Sequence, residues 1–149
     1  MDVLAEDSII GSAVAEQLGE IHIAIQRFSA TAAGLLPRAP DGTWWAQFTT
    51  GIGEIGANIV RHAHPPGSNS GGICLRLRLY TDRVEARFTD DGIPYVAPGR
   101  PTDLPDSDAL DLSEGGYGLM IARAALDRLQ YRRASGGVNV WRLLKRLPG

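Results

Sequence analysis

The spacing of the apolar residues changes once along this chain, and that change limits the folds open to it. Steps of three and four dominate up to residue 64, whereas apolar and polar residues alternate over 73–80 and again over 84–88. The first spacing places apolar side chains on one side of a helix, and the second places them on one face of a strand. Helices combined with strand hairpins are typical of an α+β fold.

The first helix is predicted from its apolar stripe over residues 14–35, and Gly34 and Pro37 supply the signal that ends it. Ile21, Ile23 and Ile25 also alternate as in a strand, but the helical stripe is longer, which favours the helix. The stripe consists of Val14, Leu18, Ile21, Ile25, Phe28, Ala32 and Leu35.

A second helix is predicted from about residue 43 to residue 64. Gly51, Gly53 and Gly56 interrupt it. Glycines in a helix indicate either close approach by another group or a weak helix, and the sequence leaves both interpretations open. The apolar side of this helix is predicted to contain Trp45, Phe48, Ile52, Ile55, Ile59 and Ala63.

The rest of the chain predicts a sheet with one more helix. Strands 73–80 and 84–88 form a hairpin, a helix covers about 118–129, and strands 131–134 and 138–144 meet at a tight turn, Ser135-Gly136-Gly137. The expected architecture is a two-layer α/β sandwich over residues 1–149, a single domain with helices on one face of a mixed, mostly antiparallel sheet. Residues 92–115 show no periodicity, and such long connections are often lids or binding loops.

Composition and charge exclude several classes of protein. The single cysteine, Cys74, excludes an intrachain disulfide and a multi-cysteine zinc site. Neither a signal peptide nor an apolar run of about 18 residues is evident, so we expect a cytoplasmic protein without a membrane segment. Residues 119–149 are basic, but their charges alternate with apolar residues, which favours a solvated face over direct nucleic-acid binding.

Three short motifs carry side chains suited to chemistry. Glu54 and Asn58 lie four residues apart on the predicted second helix and therefore share one side of it. An Asn oxygen can bind Mg²⁺, and a Glu carboxylate can accept a proton from a hydroxyl group. Taken alone, this pair is a weak signal and usually indicates a solvated helix face.

The second motif, Asp90-Asp91-Gly92, directly follows a predicted strand and could present a carboxylate to an exocyclic amine or simply form an Asp-Gly turn. The third, Gly115-Gly116-Tyr117-Gly118-Leu119, opens the predicted third helix. Glycines there expose backbone N–H groups at the positive end of the helix dipole, which suits a phosphate, although a flexible hinge has the same composition.

In order and spacing, the three motifs resemble the N, G1 and G2 boxes of the Bergerat-fold (GHKL) ATPases. The likeness is closer to one branch, the anti-sigma-factor serine/threonine kinases. It extends from about residue 24 to residue 147 and implies a Bergerat ATP-binding fold with a lid at about 93–115. It is carried by Glu-Ile-Gly-Ala-Asn-Ile-Val-Arg-His-Ala-His (54–64), Asp-Asp-Gly-Ile-Pro-Tyr (90–95), Gly-Gly-Tyr-Gly-Leu (115–119) and Trp-Arg-Leu-Leu-Lys-Arg-Leu (141–147).

The resemblance also implies roles for individual residues. Glu54 corresponds to the catalytic general base and Asn58 to the Mg²⁺ ligand, while Asp90 would accept the adenine amino group with help from Gly92. Asn139 lies in the last strand, where the family often has a Thr near the adenine. The other nucleotide-binding positions are His62, Gly115, Gly116, Gly118 and Leu119.

The function implied by the resemblance is that of an ATP- and Mg²⁺-dependent serine/threonine protein kinase with anti-sigma activity. Its partners would be a sigma factor and a STAS-domain anti-anti-sigma protein, which would receive the phosphoryl group. The exposed side of the first helix is a candidate surface for a partner or for a homodimer. Two alternatives stay open: a non-catalytic, nucleotide-gated binding module, and a catalytic domain separated from a histidine kinase.

Overall fold

The computed structural model describes residues 2–63, 71–95 and 116–149. Most of the predicted lid, about 93–115, and Gly115 itself lie outside these ranges. The strands are β1 (Ala5–Ser12), β2 (Gly72–Leu79), β3 (Arg83–Asp90), β4 (Arg128–Ala134) and β5 (Val138–Arg146). The helices are α1 (Ala15–Leu35), α2 (Gly42–Asn58) and α3 (Gly116–Ala125), and a π-helical turn, Ile59–Ala63, continues α2.

The five strands form one sheet in the order β1-β2-β3-β5-β4. Every pairing among these described strands is antiparallel, so the sheet is antiparallel throughout rather than mixed. The predicted α+β class and both predicted hairpins are confirmed. Gly136 and Gly137 have φ of 84° and 80° in the turn between β4 and β5, a conformation that glycine adopts at little cost.

The core lies between one face of the sheet and the three helices. Phe28 of α1, Phe48 of α2 and Ala122 of α3 pack there against alternate residues of the strands, such as Leu77 and Phe88. Burial of a large apolar side chain contributes about 1.5–3 kcal/mol to stability. The predicted helices on one face of the sheet are therefore observed, and the other face is left to polar side chains.

Strand β1 was not expected from the sequence. Its residues alternate between half-buried and exposed positions, and its exposed side includes Ile10, which is 81% exposed. Asp7 on its other side forms an ion pair with Arg27 of α1. Edge strands commonly carry charged residues in this way, which removes the apolar alternation by which strands are recognised.

The boundary between α3 and β4 also differs from the expectation. The helix predicted to reach residue 129 ends at Ala125, and β4 begins at Arg128 instead of residue 131. Arg128 and Leu129 pair with Leu144 and Leu143 of β5. The cross-strand hydrogen bonds therefore override the local helical spacing, and β5 correspondingly extends to Arg146.

In the first turn of α2, the buried residue differs from the predicted one. Trp44 rather than Trp45 is buried, and its indole N–H donates to the Arg146 carbonyl oxygen at 2.8 Å. Trp45 packs against the core only in part. Asp41 is the N-cap residue before α2, and its side chain accepts the Trp44 backbone N–H at 2.9 Å, which caps the first turn.

Packing explains two of the three glycines that interrupt the interior of α2, which are Gly51, Gly53 and Gly56. A Cβ at Gly51 would lie 2.8 Å from Leu126 Cγ, and a Cβ at Gly56 would lie 3.3 Å from Leu18 Cδ2. A Cβ at Gly53 would meet no atom within 4 Å. Close approach therefore explains Gly51 and Gly56, whereas Gly53 is a helix position without a packing constraint.

This difference predicts opposite effects of the same substitution. Gly53→Ala should raise the free energy of unfolding by up to about 1 kcal/mol, because Ala is the better helix former. Gly51→Ala should lower it by about 1–3 kcal/mol, because the added methyl group forces Leu126 to move. Urea titration of both variants without nucleotide measures the effect. Equal changes in the two variants would contradict the packing argument.

Candidate functional site

Asp90 is the last residue of β3 and is only 4% exposed. Its Oδ1 atom accepts two hydrogen bonds, from the Gly92 backbone N–H at 2.9 Å and from Asn139 Nδ2 at 2.8 Å. Its Oδ2 atom is buried and has no hydrogen-bond partner in the described part of the chain. One carboxylate oxygen is thus held in place while the other remains a buried acceptor for an N–H or O–H donor.

Asn139 of β5 lies directly opposite Asp90 in the register of the two strands and is 2% exposed. Besides Asp90, its side-chain N–H₂ group donates to the Ile93 carbonyl oxygen at 2.9 Å. Its carbonyl oxygen accepts from the Tyr131 hydroxyl at 2.6 Å and from Arg133 Nη1 at 2.9 Å. Asn139 therefore connects the carboxylate, the loop after β3 and strand β4.

The loop after β3 is held against the end of α2. The Ile93 backbone N–H donates to the Ala63 carbonyl oxygen at 2.8 Å, and Arg133 Nη1 donates to the Gly92 carbonyl oxygen at 2.7 Å. A Cβ at Gly92 would collide with the Ala63 carbonyl oxygen. Glycine at residue 92 is therefore needed for close approach to the π-helical turn, a feature found frequently at functional sites.

Glu54 and Gly118 are brought together by the packing of α2 against α3. A Cβ at Gly118 would lie 2.5 Å from Glu54 Oε1, so the absence of a side chain leaves room for the carboxylate. Glu54 is half-buried, and Asn58, one turn further along α2, is buried. Gly116 begins α3, where backbone N–H groups point away from the helix at its positive end.

Two other predicted site residues lie nearby in the fold but differ in exposure. His62 is exposed on the π-helical turn, and Leu119 is partly buried against the core. Within residues 2–63, 71–95 and 116–149, no group of three or more His, Cys, Asp or Glu side chains could hold a metal ion. A Mg²⁺ ion bound mainly by phosphate oxygens and water needs only one or two protein oxygens, and the Asn58 amide fits that requirement.

Sequence reasoning missed the aromatic side of the site. Tyr131 lies beside Tyr95 and Trp141, with ring centroids 5.5 and 4.7 Å away, and its hydroxyl accepts the Tyr95 backbone N–H at 2.9 Å. Burial raises the pKa of Tyr95, and the nearby Arg123 opposes that rise. No local pattern reveals this cluster, because its members come from β4, β5 and the loop after β3.

Two comparisons show the fold and then the family. The fold is similar to the histidine kinase domain from the Erythrobacter litoralis EL346 blue-light activated histidine kinase, with a TM-score of 0.53 and 19% identity over 87% of this chain and 59% of that chain. Residues 12–144 match the histidine kinase-like ATPase domain family, and the chain belongs to that family. The family resemblance drawn from the three motifs is thereby confirmed.

Curated relatives include the serine-protein kinase RsbW of Bacillus licheniformis, 28% identical over 89 residues, and that of Halalkalibacterium halodurans, 32% identical over 91 residues. The serine-protein kinase RsbW of Bacillus subtilis is 29% identical over 89 residues. These alignments cover 57–58% of this chain and 54–55% of the relatives. The chain therefore spans about half the length of the curated relatives that it matches. Within the described residues, no helix is long and apolar enough to span a membrane.

The hydrogen bonds of Asn139 predict a large effect of removing its side chain. Asn139→Ala removes the donor to Asp90 Oδ1 and to the Ile93 carbonyl oxygen and the acceptor of the Tyr131 hydroxyl proton. It should therefore lower the free energy of unfolding by about 1–3 kcal/mol. Ser135→Ala, in the exposed turn of the same hairpin, is the matched control and should change it by less than about 0.5 kcal/mol. Urea unfolding measures both; equal stabilities would show that Asn139 does not hold the site together.

Proposed function

We propose that this chain is an ATP-dependent protein serine/threonine kinase that acts as an anti-sigma factor. Its substrate in this proposal is a serine or threonine of a STAS-domain anti-anti-sigma protein, and its second partner is a sigma factor. The names of the curated relatives support the serine kinase activity. The observation that carries the proposal is the buried, unpartnered Oδ2 atom of Asp90 at the end of β3.

Asp90 is suited to recognise the adenine ring of ATP. Its Oδ1 atom is already saturated by Gly92 and Asn139, so an incoming exocyclic amine would be directed to Oδ2. A buried acceptor without a partner costs about 1–3 kcal/mol, and an amine donor would recover part of that free energy. Guanine presents a carbonyl oxygen in place of the amine, so the same acceptor discriminates against it.

Glu54 and α3 are suited to the phosphoryl-transfer step. In this step the substrate hydroxyl oxygen forms a bond to the γ-phosphorus, the bond from that phosphorus to the ADP oxygen breaks, and Glu54 accepts the hydroxyl proton. The backbone N–H groups at the start of α3 would face the phosphates. Mg²⁺, when bound through Asn58, supplies positive charge that offsets the phosphate charges.

The partners and the location of the chain remain predictions. Neither the STAS-domain substrate nor a homodimer is tested by the fold, and the expected cytoplasmic location also stays a prediction. Phosphoryl transfer to a STAS-domain protein separates the kinase from the non-catalytic binding module. ATP binding without phosphoryl transfer to a STAS-domain protein would support the module.

Asp90→Asn tests the recognition of adenine. The Asn side chain keeps an oxygen for Gly92 and Asn139 but places an N–H₂ group where Oδ2 stood, so it opposes the adenine amine. The free energy of ATP binding measured by calorimetry should weaken by about 1–3 kcal/mol, which is roughly a fivefold to 150-fold loss of affinity. Asp91→Asn makes the same chemical change one residue away at an exposed position and should leave affinity unaltered. Equal ATP affinity in both variants would overturn the assignment of Asp90.

Glu54→Gln separates binding from chemistry. It removes the proton acceptor but keeps the size of the side chain, so transfer should slow by about 10²–10⁴-fold. ATP affinity should change by less than about tenfold, or ~1.4 kcal/mol. Asn58→Ala should instead weaken Mg²⁺-dependent ATP affinity and transfer together. Radiolabelled transfer to a STAS-domain protein and calorimetry give both quantities; transfer at the parental rate by Glu54→Gln would exclude Glu54 as the base.

A further inference from the structure

A groove rich in arginine crosses the face of the sheet that points away from the helices. It has a volume of about 510 Å³, and among the described residues it is lined by seven arginines and one carboxylate, Glu85. Arg76 and Arg78 of β2 alternate there with Leu75 and Leu77, which point into the core. The groove is therefore separated by the sheet from the helices and from the candidate site.

Three of these arginines stand in one row across three neighbouring strands. Arg87 of β3 is the direct partner of Arg76 in β2 and of Arg142 in β5. Like charges directly opposite one another in an antiparallel pair are destabilising. Burial and the nearby charges of Arg76, Arg132 and Arg142 lower the pKa of Arg87, whose Nε atom is buried without a hydrogen-bond partner in the described chain.

The two nearby carboxylates make their shortest ion pairs with arginines next to the row and not with arginines of the row. Glu6 bonds Arg78 at 2.5 Å, and Glu85 bonds Arg83 at 2.6 Å. Glu6 lies 3.9 Å from Arg76, and Glu85 lies 3.9 Å from Arg142. The three arginines of the row, which we call the arginine row, face two carboxylates that are each shared with another arginine, so the row retains a net positive charge.

We propose that the arginine row binds an acidic segment of a partner protein, whose Asp or Glu carboxylates pair with Arg76, Arg87 and Arg142. Guanidinium groups bind carboxylates through two parallel N–H donors, which suits a row of closely spaced forks. Neighbouring strands are about 4.8 Å apart, so the row spans roughly 10 Å, a distance that successive acidic residues of one peptide can match.

The other occupants fit this surface less well. A second copy placed face to face would bring arginines against arginines. Proteins that bind single-stranded nucleic acid combine a basic groove with aromatic rings on which the bases stack. Tyr80, the one aromatic residue among the described lining residues, is covered by the Arg83 guanidinium 4.0 Å from its ring centroid and offers no free ring face on that side.

Fluorescence anisotropy with labelled octaglutamate tests the proposal, with oligo-dT of the same length as the competing probe. The intact chain should bind octaglutamate saturably and more weakly at high salt. The double variant Arg76→Gln/Arg142→Gln should lose at least about tenfold in affinity, because two bidentate pairs are removed. Arg38→Gln, an exposed arginine between α1 and α2, is the control and should bind as the intact chain does.

Three results would overturn the proposal: no binding of octaglutamate to the intact chain, an equal loss in Arg38→Gln, or tighter binding of oligo-dT than of octaglutamate. The last result would assign the groove to nucleic acid.

Stability gives a second readout that does not depend on the probe. Arg87→Gln should raise the thermal midpoint of the chain without peptide, because it relieves repulsion from both neighbours, and should weaken octaglutamate binding. A lower midpoint with unchanged binding would show that Arg87 serves only the fold.

Discussion

The hydrogen bond between Asp90 and Asn139 is the interaction on which the candidate site depends. It joins the end of β3 to β5 at directly opposed positions, and both side chains are buried. Because Asn139 also bonds the loop after β3 and strand β4, one amide group has five hydrogen-bond partners. The bond to Asn139 occupies Oδ1 of Asp90 and leaves Oδ2 as an acceptor. Asp90 therefore both supports the fold and, in the proposed function, recognises the ligand.

Helix α2 provides the second support of the site. Gly92 of the loop after β3 lies against Ala63 in the π-helical turn that continues this helix, and Gly118 of α3 lies against Glu54 of the helix itself. Both contacts require the absence of a side chain on the approaching element. The proposed adenine and phosphate positions are therefore placed relative to one helix, and a shift of α2 would disturb both.

The two faces of the sheet differ in what they contact and in the side chains they carry. The face under the helices carries apolar side chains that pack against them, and the candidate site lies on this face at the ends of β3 and β5. Packing therefore constrains the residues of this face. The opposite face keeps three arginines in direct opposition, an arrangement that lowers stability. A surface that keeps such repulsion is better explained by a bound anion than by the requirements of folding.

The sequence by itself determined the elements whose signal is local: the apolar stripes of α1 and α2, the hairpin of β2 and β3, and the motifs containing Glu54, Asp90 and Gly118. The spacing of the stripes and of the hairpin depends only on helix and strand geometry, so it is visible in one segment at a time. The three motifs were recognised by their resemblance to a known family. Tertiary structure alone decided the existence of β1, the start of β4 and the partners of Asn139. These depend on hydrogen bonds between segments far apart in the chain, because an edge strand without apolar alternation and a buried amide have no local signature.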